Sequence, residues 1–404
     1  MNKSENNNYN ANETNQSINQ SVSPASSDAN KAKTKKEPLF HIVKRPTITL
    51  GKSLAIRISA IAIALVLVGI ITLILLKQNP FLAYKTMFEG VFGVNTIISF
   101  RDTAILLCIA LALTPAFKMR FWNTGAEGQV LVGALATAFC MYNFYSLPTP
   151  LLLIIMFLSA VLMGAIWGII PAVFKAIWGT NETLFTLMMN SIAAYLTLFA
   201  MKFWSKQSNS VGKEILDPEG KINSIFGANY FIIIAIVLLI DVFMFIYLRY
   251  SKQGYEISVV GESENTAKYI GINVKTVIIR TMAISGLICG IAGFLIAAPA
   301  QNISNNIVGG QGFTAIMVAW LAKFNPIIMI LSAFLFIFVS SGGREISTAL
   351  NFEAAYSDIL IGTLLFFIIG CEFFINYKLI PGTRAKEMLN KIFGIFKKNK
   401  KEAE

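Results

Sequence analysis

The sequence predicts an all-α protein, a polytopic membrane helical bundle of about ten transmembrane helices, one of them short or broken. Three observations carry that prediction. Of the 404 residues, 55% are hydrophobic and only 14% charged, and the mean hydropathy is +0.62, which is more apolar surface than one soluble core can hide. The apolar residues are gathered into runs as long as the ~20 residues that a spanning helix needs. The net charge of +12 sits at the two ends and in short loops, a distribution that suits membrane orientation. A nucleic-acid binder would instead interleave its basic residues with aromatics on a polar surface.

Taken in order, Met1 to about Glu37 is rich in Asn and Ser and poor in large apolar side chains, so it cannot offset its ordering entropy by burial. Residues 1–52 are therefore expected to be a disordered, basic cytoplasmic tail. The tail has no short apolar core followed by a small-residue cleavage site, as a secretory signal would. Lys31, Lys33, Lys35, Lys36, Lys44, Arg45, Lys52 and Arg57 precede or open the first span and direct the N-terminus inside.

Runs of spanning length lie near 54–76, 97–117, 127–146, 150–174, 183–203, 229–248, 276–299, 326–343 and 357–377. A shorter apolar piece, Phe313 to Ala322, lies between Gly309-Gly310-Gln311-Gly312 and Lys323-Phe324-Asn325-Pro326, where glycine and proline mark breaks. The tail at 379–404, preceded by Lys378, carries Arg384, Lys386, Lys391, Lys397, Lys398, Lys400 and Lys401, which directs the C-terminus to the same side as the N-terminus. Only an even number of crossings permits that. Residues 311–322 are thus expected to cross as a short or broken helix whose ends are shielded by protein or a water-filled cavity. The transmembrane domain then covers 53–378. Its loop at 249–275 faces the cytoplasm, and Lys202 to Ala228 faces outside, either as a contact for an external binding protein or as a solvated connector.

Several chemistries are excluded. The one Gly-Lys-Ser, Gly51 to Ser53, has Pro46 where a phosphate loop needs its first glycine, and no His-Glu-x-x-His, Cys-x-x-Cys or Gly-x-Ser-x-Gly occurs. Cys108, Cys140, Cys289 and Cys371 are scattered along apolar runs and His41 stands alone, so neither a disulfide framework nor a metal site is indicated. No cofactor, metal or catalytic residue is expected. If energy drives this protein, another chain supplies it.

Arg249 to Arg280 is the one charge-mixed island between long apolar runs. Ser263 can cap a short helix with Glu264 in its first turn, and Gly271 supplies the left-handed residue that stops it after about two turns. So short a helix needs the flanking spans or a partner to hold it, with Tyr269, Ile270 and Ile272 as its anchors. The pattern G-Y-E-I-x-x-V-G-E-x-x-x-x-A-x-Y-x-G-I-N-V resembles the cytoplasmic coupling loop of ABC-transporter permeases, above all the nucleoside type, relatives of the ribose and branched-chain amino-acid permeases. The resemblance implies that Gly254, Tyr255, Glu256, Gly261, Glu262, Ala267, Tyr269, Gly271 and Ile272 belong to a loop that docks into an ATPase subunit. An ordinary solvated loop is the alternative.

A second stretch, Phe121-Trp122-Asn123-Thr124-Gly125-Ala126-Glu127-Gly128-Gln129, resembles the F-N-I-G-x-E-G-Q signature of the same permeases, with Trp122 and Thr124 departing from it. Glycine lets backbone approach a ligand or another helix, while Asn, Glu and Gln provide donors and acceptors that match a ribose or a base. Asn123, Gly125, Glu127, Gly128 and Gln129 are therefore candidates for the substrate pathway. Equally, Glu127 could cap the start of the third span. Asn190, in a stretch resembling the family's N-E-x-x-x-T-x-M-x-N, is a further pathway candidate or else a helix–helix hydrogen-bonding residue. Asp241, the last pathway candidate, stands in an otherwise uncharged span, where a central carboxylate costs on the order of 2.5 kcal/mol or more; it faces water or a partner. Gly286, Gly290 and Gly293, like Ala160, Gly164 and Gly168, have the small-residue spacing of a packing face.

The resemblance implies a non-enzymatic permease subunit of an ATP-driven importer in a bacterial plasma membrane, moving nucleosides inward. It also implies three partners, an ATPase with two nucleotide-binding units, a second homologous permease and an extracellular substrate-binding lipoprotein. Permeation of ribose-like sugars or branched-chain amino acids is the alternative within the class. An ion-coupled secondary transporter would need more buried titratable groups than Asp241 alone.

Overall fold

The computed structural model describes residues 40–381 except 46–48, 78, 94–95, 145, 205–211, 215–229, 301 and 350–353. Both tail expectations fall largely outside the described residues, as does most of the 202–228 segment, Asp217 included.

The chain divides into two units, 48–375 and a small one formed by 1–47 with 376–404. In the small unit, β1 (Phe40–Lys44) pairs antiparallel with β4 (Tyr377–Pro381), Phe40 opposite Pro381 and Lys44 opposite Tyr377. Residues 40–44 of the expected tail are thus a strand, and the first helix begins at Leu50.

The large unit is a helical bundle. Its described helices are α1 (Leu50–Leu76), α2 (Pro80–Phe92), α3 (Thr96–Lys118), α4 (Ala126–Asn143), α5 (Thr149–Trp178), α6 (Glu182–Trp204), α7 (Phe231–Tyr250), α8 (Lys252–Glu262), α9 (Glu264–Tyr269), α10 (Val274–Ala300), α11 (Gln311–Leu321), α12 (Pro326–Ala349) and α13 (Ala354–Asn376). Each of the ten expected stretches falls on a helix among its described residues, and none runs past that helix by more than three residues at either end. Six of them, α3, α5, α6, α7, α10 and α12, are long and apolar enough to cross a membrane; α11 and Ile58–Ile74 are shorter apolar pieces. The protein is a multi-pass membrane protein with an all-α bundle. Besides the helices, β2 (Gly212–Glu214) pairs antiparallel with β3 (Asn302–Ser304).

Helices α3 and α10 form the centre. From Thr103 to Phe117 every residue of α3 is buried, as a helix apolar all round must be. Helix α10 packs on α5 through the small residues. A Cβ at Gly164 would stand 2.4 Å from the Gly286 carbonyl oxygen, and one at Gly290 would stand 2.3 Å from that of Ala160. Without a hydrophobic drive between helices in lipid, this backbone approach supplies the van der Waals contact that holds them together.

Candidate functional site

Helix α4 begins where the polar stretch ends, and its start is stitched to three other helices. The Asn123 side chain is fully buried. Its Oδ1 accepts from the Gly125 N–H at 3.0 Å and from Gln129 Nε2 at 3.3 Å, while its Nδ2 donates to Ser285 Oγ on α10 at 3.2 Å. Asn190 reaches across from α6: its Oδ1 accepts the Gly128 N–H at 2.8 Å and its Nδ2 donates to the Thr124 carbonyl at 2.9 Å. Thr124 also bonds the Thr183 carbonyl at 3.1 Å and the Thr186 hydroxyl at 3.0 Å. The structure thus brings Asn123, Gly125, Gly128, Gln129 and Asn190 into one network whose bonds are made within the chain.

Glu127 caps a helix, but not its own. Gly309 and Gly310 turn the backbone with φ of +63° and +77°, which presents the first N–H groups of α11 to α4. Glu127 Oε1 accepts from the Gly310 N–H at 2.8 Å and Oε2 from the Gly312 N–H at 2.7 Å. A carboxylate there satisfies two of the donors every helix start leaves unpaired and complements the positive end of the helix dipole. This is how a helix of 11 residues is held inside the bundle: protein shields its N-terminus. At its other end Lys323 and Phe324 adopt φ of +51° and +58° before Pro326, and Phe324 stacks on Phe117, ring centroids 6.1 Å apart. Asp241 stands apart on α7. It is 5% exposed, and its Oδ1 has no hydrogen-bond partner among the described residues.

The charge-mixed loop folds as a helix pair. Ser263 Oγ accepts the Thr266 N–H at 3.3 Å at the start of α9, and Gly271 has φ +84°, as expected. Upstream lies α8, a helix the sequence reading did not place, capped by Ser251, whose Oγ accepts the Gly254 N–H at 2.9 Å. The nine loop candidates then divide into two sets. Gly254, Gly261 and Ala267 are buried, and Glu256 pairs with Arg280 at 2.9 Å. A Cβ at Gly261 would lie 2.0 Å from the carbonyl oxygen of Lys118, the last residue of α3. Ile272 is partly buried against the core. Tyr255 and Tyr269, by contrast, are 62% and 93% exposed, and Ile270, Glu262 and Gly271 are exposed beside them. These inward contacts fasten the loop to the end of α3 while an aromatic face points away from the bundle.

One cavity went unmarked by the motifs. It measures about 740 Å³ and lies among the start of α11, the last turns of α12 and the start of α13, lined by Gly309, Gly310, Phe313, Arg344, Ser347 and Asp358 among others. The sequence signal for it was slight: Arg344, beside Glu345, and Asp358 are charges near the ends of mainly apolar helices. No group of three or more His, Cys, Asp or Glu able to hold a metal ion occurs among the described residues.

Residues 95–369 match the family described as the permease component of the branched-chain amino acid transport system. Three curated relatives are similar over most of their length. A glucose ABC transporter permease protein, TsgB13 of Haloferax volcanii, is 28% identical over 338 residues, 78% of this chain and 87% of the relative. A nucleoside ABC transporter permease protein, NupB of Lactococcus lactis subsp. cremoris, is 27% identical over 294 residues, 68% and 80% of the two chains. A guanosine ABC transporter permease protein, NupP of Bacillus subtilis, is 26% identical over 306 residues, 70% and 84%.

Proposed function

Because this chain belongs to the branched-chain amino acid transport system permease family, and is thus an ABC-transporter membrane subunit and not an enzyme, we propose that it is the permease of an importer that carries nucleosides inward. Membership brings an ATPase and a substrate-binding protein as partners. The observation that carries the nucleoside reading is the pair of relatives named for nucleosides and guanosine, each similar over 80% or more of its length. The glucose-named relative favours a second reading, a ribose-like or other sugar as solute.

In the proposed mechanism the α8–α9 pair is cytoplasmic and docks into the ATPase through Tyr255, Tyr269 and Ile270. The inward contacts of Gly261 and Glu256 transmit its movement to α3 and α10. Both chain termini are cytoplasmic in this orientation, in a bacterial plasma membrane. An ATPase with two nucleotide-binding units presents two docking grooves, so a second homologous permease completes the assembly, and an extracellular lipoprotein delivers the solute to the other face. The residues Asn123, Gly125, Gly128, Gln129 and Asn190 serve the pathway indirectly, by fixing the start of α4 against α6 and α10, from which Glu127 holds the short helix α11; Asp241 has no role in this scheme.

Uptake tests the proposal. Radiolabelled inosine should enter cells whose ion gradients are collapsed while ATP is retained, and excess glucose or leucine should not compete. Uptake that follows the gradient instead of ATP would remove the importer reading, and competition by glucose would favour the sugar.

A further inference from the structure

The cavity beside α11 lies at the end of the bundle away from the α8–α9 pair. The α11–α12 turn carries Phe324, which stacks on Phe117 next to the α3 terminus that Gly261 abuts. Helix α12 (Pro326–Ala349) then rises at 1.5 Å per residue, so that Arg344 and Ser347 stand about 27 and 32 Å along it from Pro326. In the orientation proposed above, this is the outer face.

Its lining is unlike that of a packing defect. The Arg344 guanidinium bonds only the Ser340 and Ser341 hydroxyls, both at 2.9 Å, and makes no ion pair among the described residues. Asp358 lines the same cavity with no hydrogen bond or ion pair among those residues. Ser347 is 8% exposed, and its hydroxyl, though buried, has no partner among the described residues. The buried Ser347 hydroxyl is left unmatched, a cost that a ligand can remove, and the exposed Arg344 and Asp358 offer a guanidinium and a carboxylate around the same cavity without an ion pair between them. Phe313 and Phe336 add aromatic surface. The volume falls within the ~300–1,000 Å³ of small-solute sites, which combine such apolar walls with a few fixed polar groups.

We propose that this cavity is the solute-entry site of the permease and that it recognises a ribonucleoside. The inference rests on the nucleoside reading. The Asp358 carboxylate, an acceptor at both oxygens, takes the two hydroxyls of the ribose diol; Arg344, a donor only, faces acceptor atoms of the base; Phe313 and Phe336 flank the ring. Glu127 acts as a positioning residue here, since its carboxylate fixes Gly310, part of the cavity wall.

The test uses the complete transporter, with inosine and 2′,3′-dideoxyinosine as probes. The wild type should prefer inosine, because a site built to bond hydroxyls discriminates against analogues that lack them. Asp358→Asn should lower inosine uptake about tenfold and leave dideoxyinosine uptake unchanged, collapsing the preference. As a second measurement, Thr348→Cys, at the cavity lining, should react with a hydrophilic maleimide added outside, and millimolar inosine should slow that reaction while leucine does not. A preference unchanged in Asp358→Asn together with unprotected Thr348→Cys overturns the cavity assignment and leaves the transport reading standing. A wild type that imports no inosine removes the nucleoside reading and this recognition with it.

Discussion

The two stretches that resemble a permease signature are used in opposite ways. In Phe121–Gln129 the polar side chains turn inward: Asn123 is fully buried, Gln129 nearly so, and Glu127 clamps a helix 183 residues away. In Gly254–Ile272 the stretch is split, with Gly254, Glu256, Gly261 and Ala267 tied to the bundle and Tyr255, Tyr269 and Ile270 facing away from it. A signature therefore does not mean contact with a ligand. Inward polar groups in a bundle answer the demand that every donor at membrane depth be satisfied; an outward aromatic face answers no demand of this chain's own fold.

That contrast ranks substitutions by their effect on the folded permease. Gly261→Val should be the most damaging. Its Cβ would meet the Lys118 carbonyl at 2.0 Å, and the atoms it meets, of Lys118 and Met119, are backbone, so the loop or the end of α3 must move. We expect little or no permease in the membrane fraction, measured by immunoblot and by detergent size-exclusion profile. Normal levels would mean that the loop is not fastened to α3 as the contacts imply.

Glu127→Gln comes second. The amide keeps the shape but gives up the charge that strengthens two hydrogen bonds and complements the helix dipole, each effect worth about 1 kcal/mol or somewhat more. The protein should insert, lose roughly 1–3 kcal/mol of stability, and transport about tenfold more slowly as the start of α11 loosens. A thermal-melt assay in detergent checks the first expectation and inosine uptake the second. An unchanged melt with lost transport would show Glu127 to be a solute ligand, and the contrast between the two stretches would narrow.

Gly271→Val should cost less, about 1–2 kcal/mol, because a branched residue is strained at φ +84° while no atom stands within 4 Å of the added Cβ. Only the turn after α9 should distort. Limited proteolysis should cut there first, with the flanking spans intact; new cleavage elsewhere would contradict this.

The spans were legible because an apolar run of spanning length leaves the backbone no other way to satisfy its hydrogen bonds. Helix α9 was legible too, since Ser263 and Gly271 are local signals read off the chain directly. Helix α2 was not, because Pro80–Phe92 has 13 residues and carries Lys85 and Glu89, too short and too polar to read as a span. Helix α8 was missed for a similar reason: Gly254 and Gly261 break its pattern, and both are explained only by backbone that arrives from elsewhere. The Glu127 clamp lay beyond sequence reasoning altogether, since no periodicity joins residue 127 to residue 310. Arg344 and Asp358 were passed over because a charge near a helix end reads first as an interfacial residue; only the three-dimensional structure places them on one cavity.

The smallest expected effect on folding, and the sharpest test of the contrast, is Tyr269→Ala. The side chain is 93% exposed, so its removal leaves no cavity and should change the melting temperature by less than about half a kcal/mol equivalent. Yet aromatic residues are enriched among those that dominate protein–protein affinity, where truncation costs ~2 kcal/mol or more. If the outward face of α8 and α9 is the docking surface, Tyr269→Ala should leave a fully folded permease that co-purifies with less ATPase and imports solute poorly, the reverse of Gly261→Val, which removes the fold and everything after it. Because each 1.4 kcal/mol is tenfold in affinity, the ATPase recovered with Tyr269→Ala should fall at dilutions where the wild-type complex persists and recover as the ATPase is added back. Recovery at high concentration is what distinguishes a weakened interface from a damaged loop. A variant that retains its ATPase at every dilution would leave the exposed tyrosine without a partner and shift the docking role to the Tyr255 side of α8.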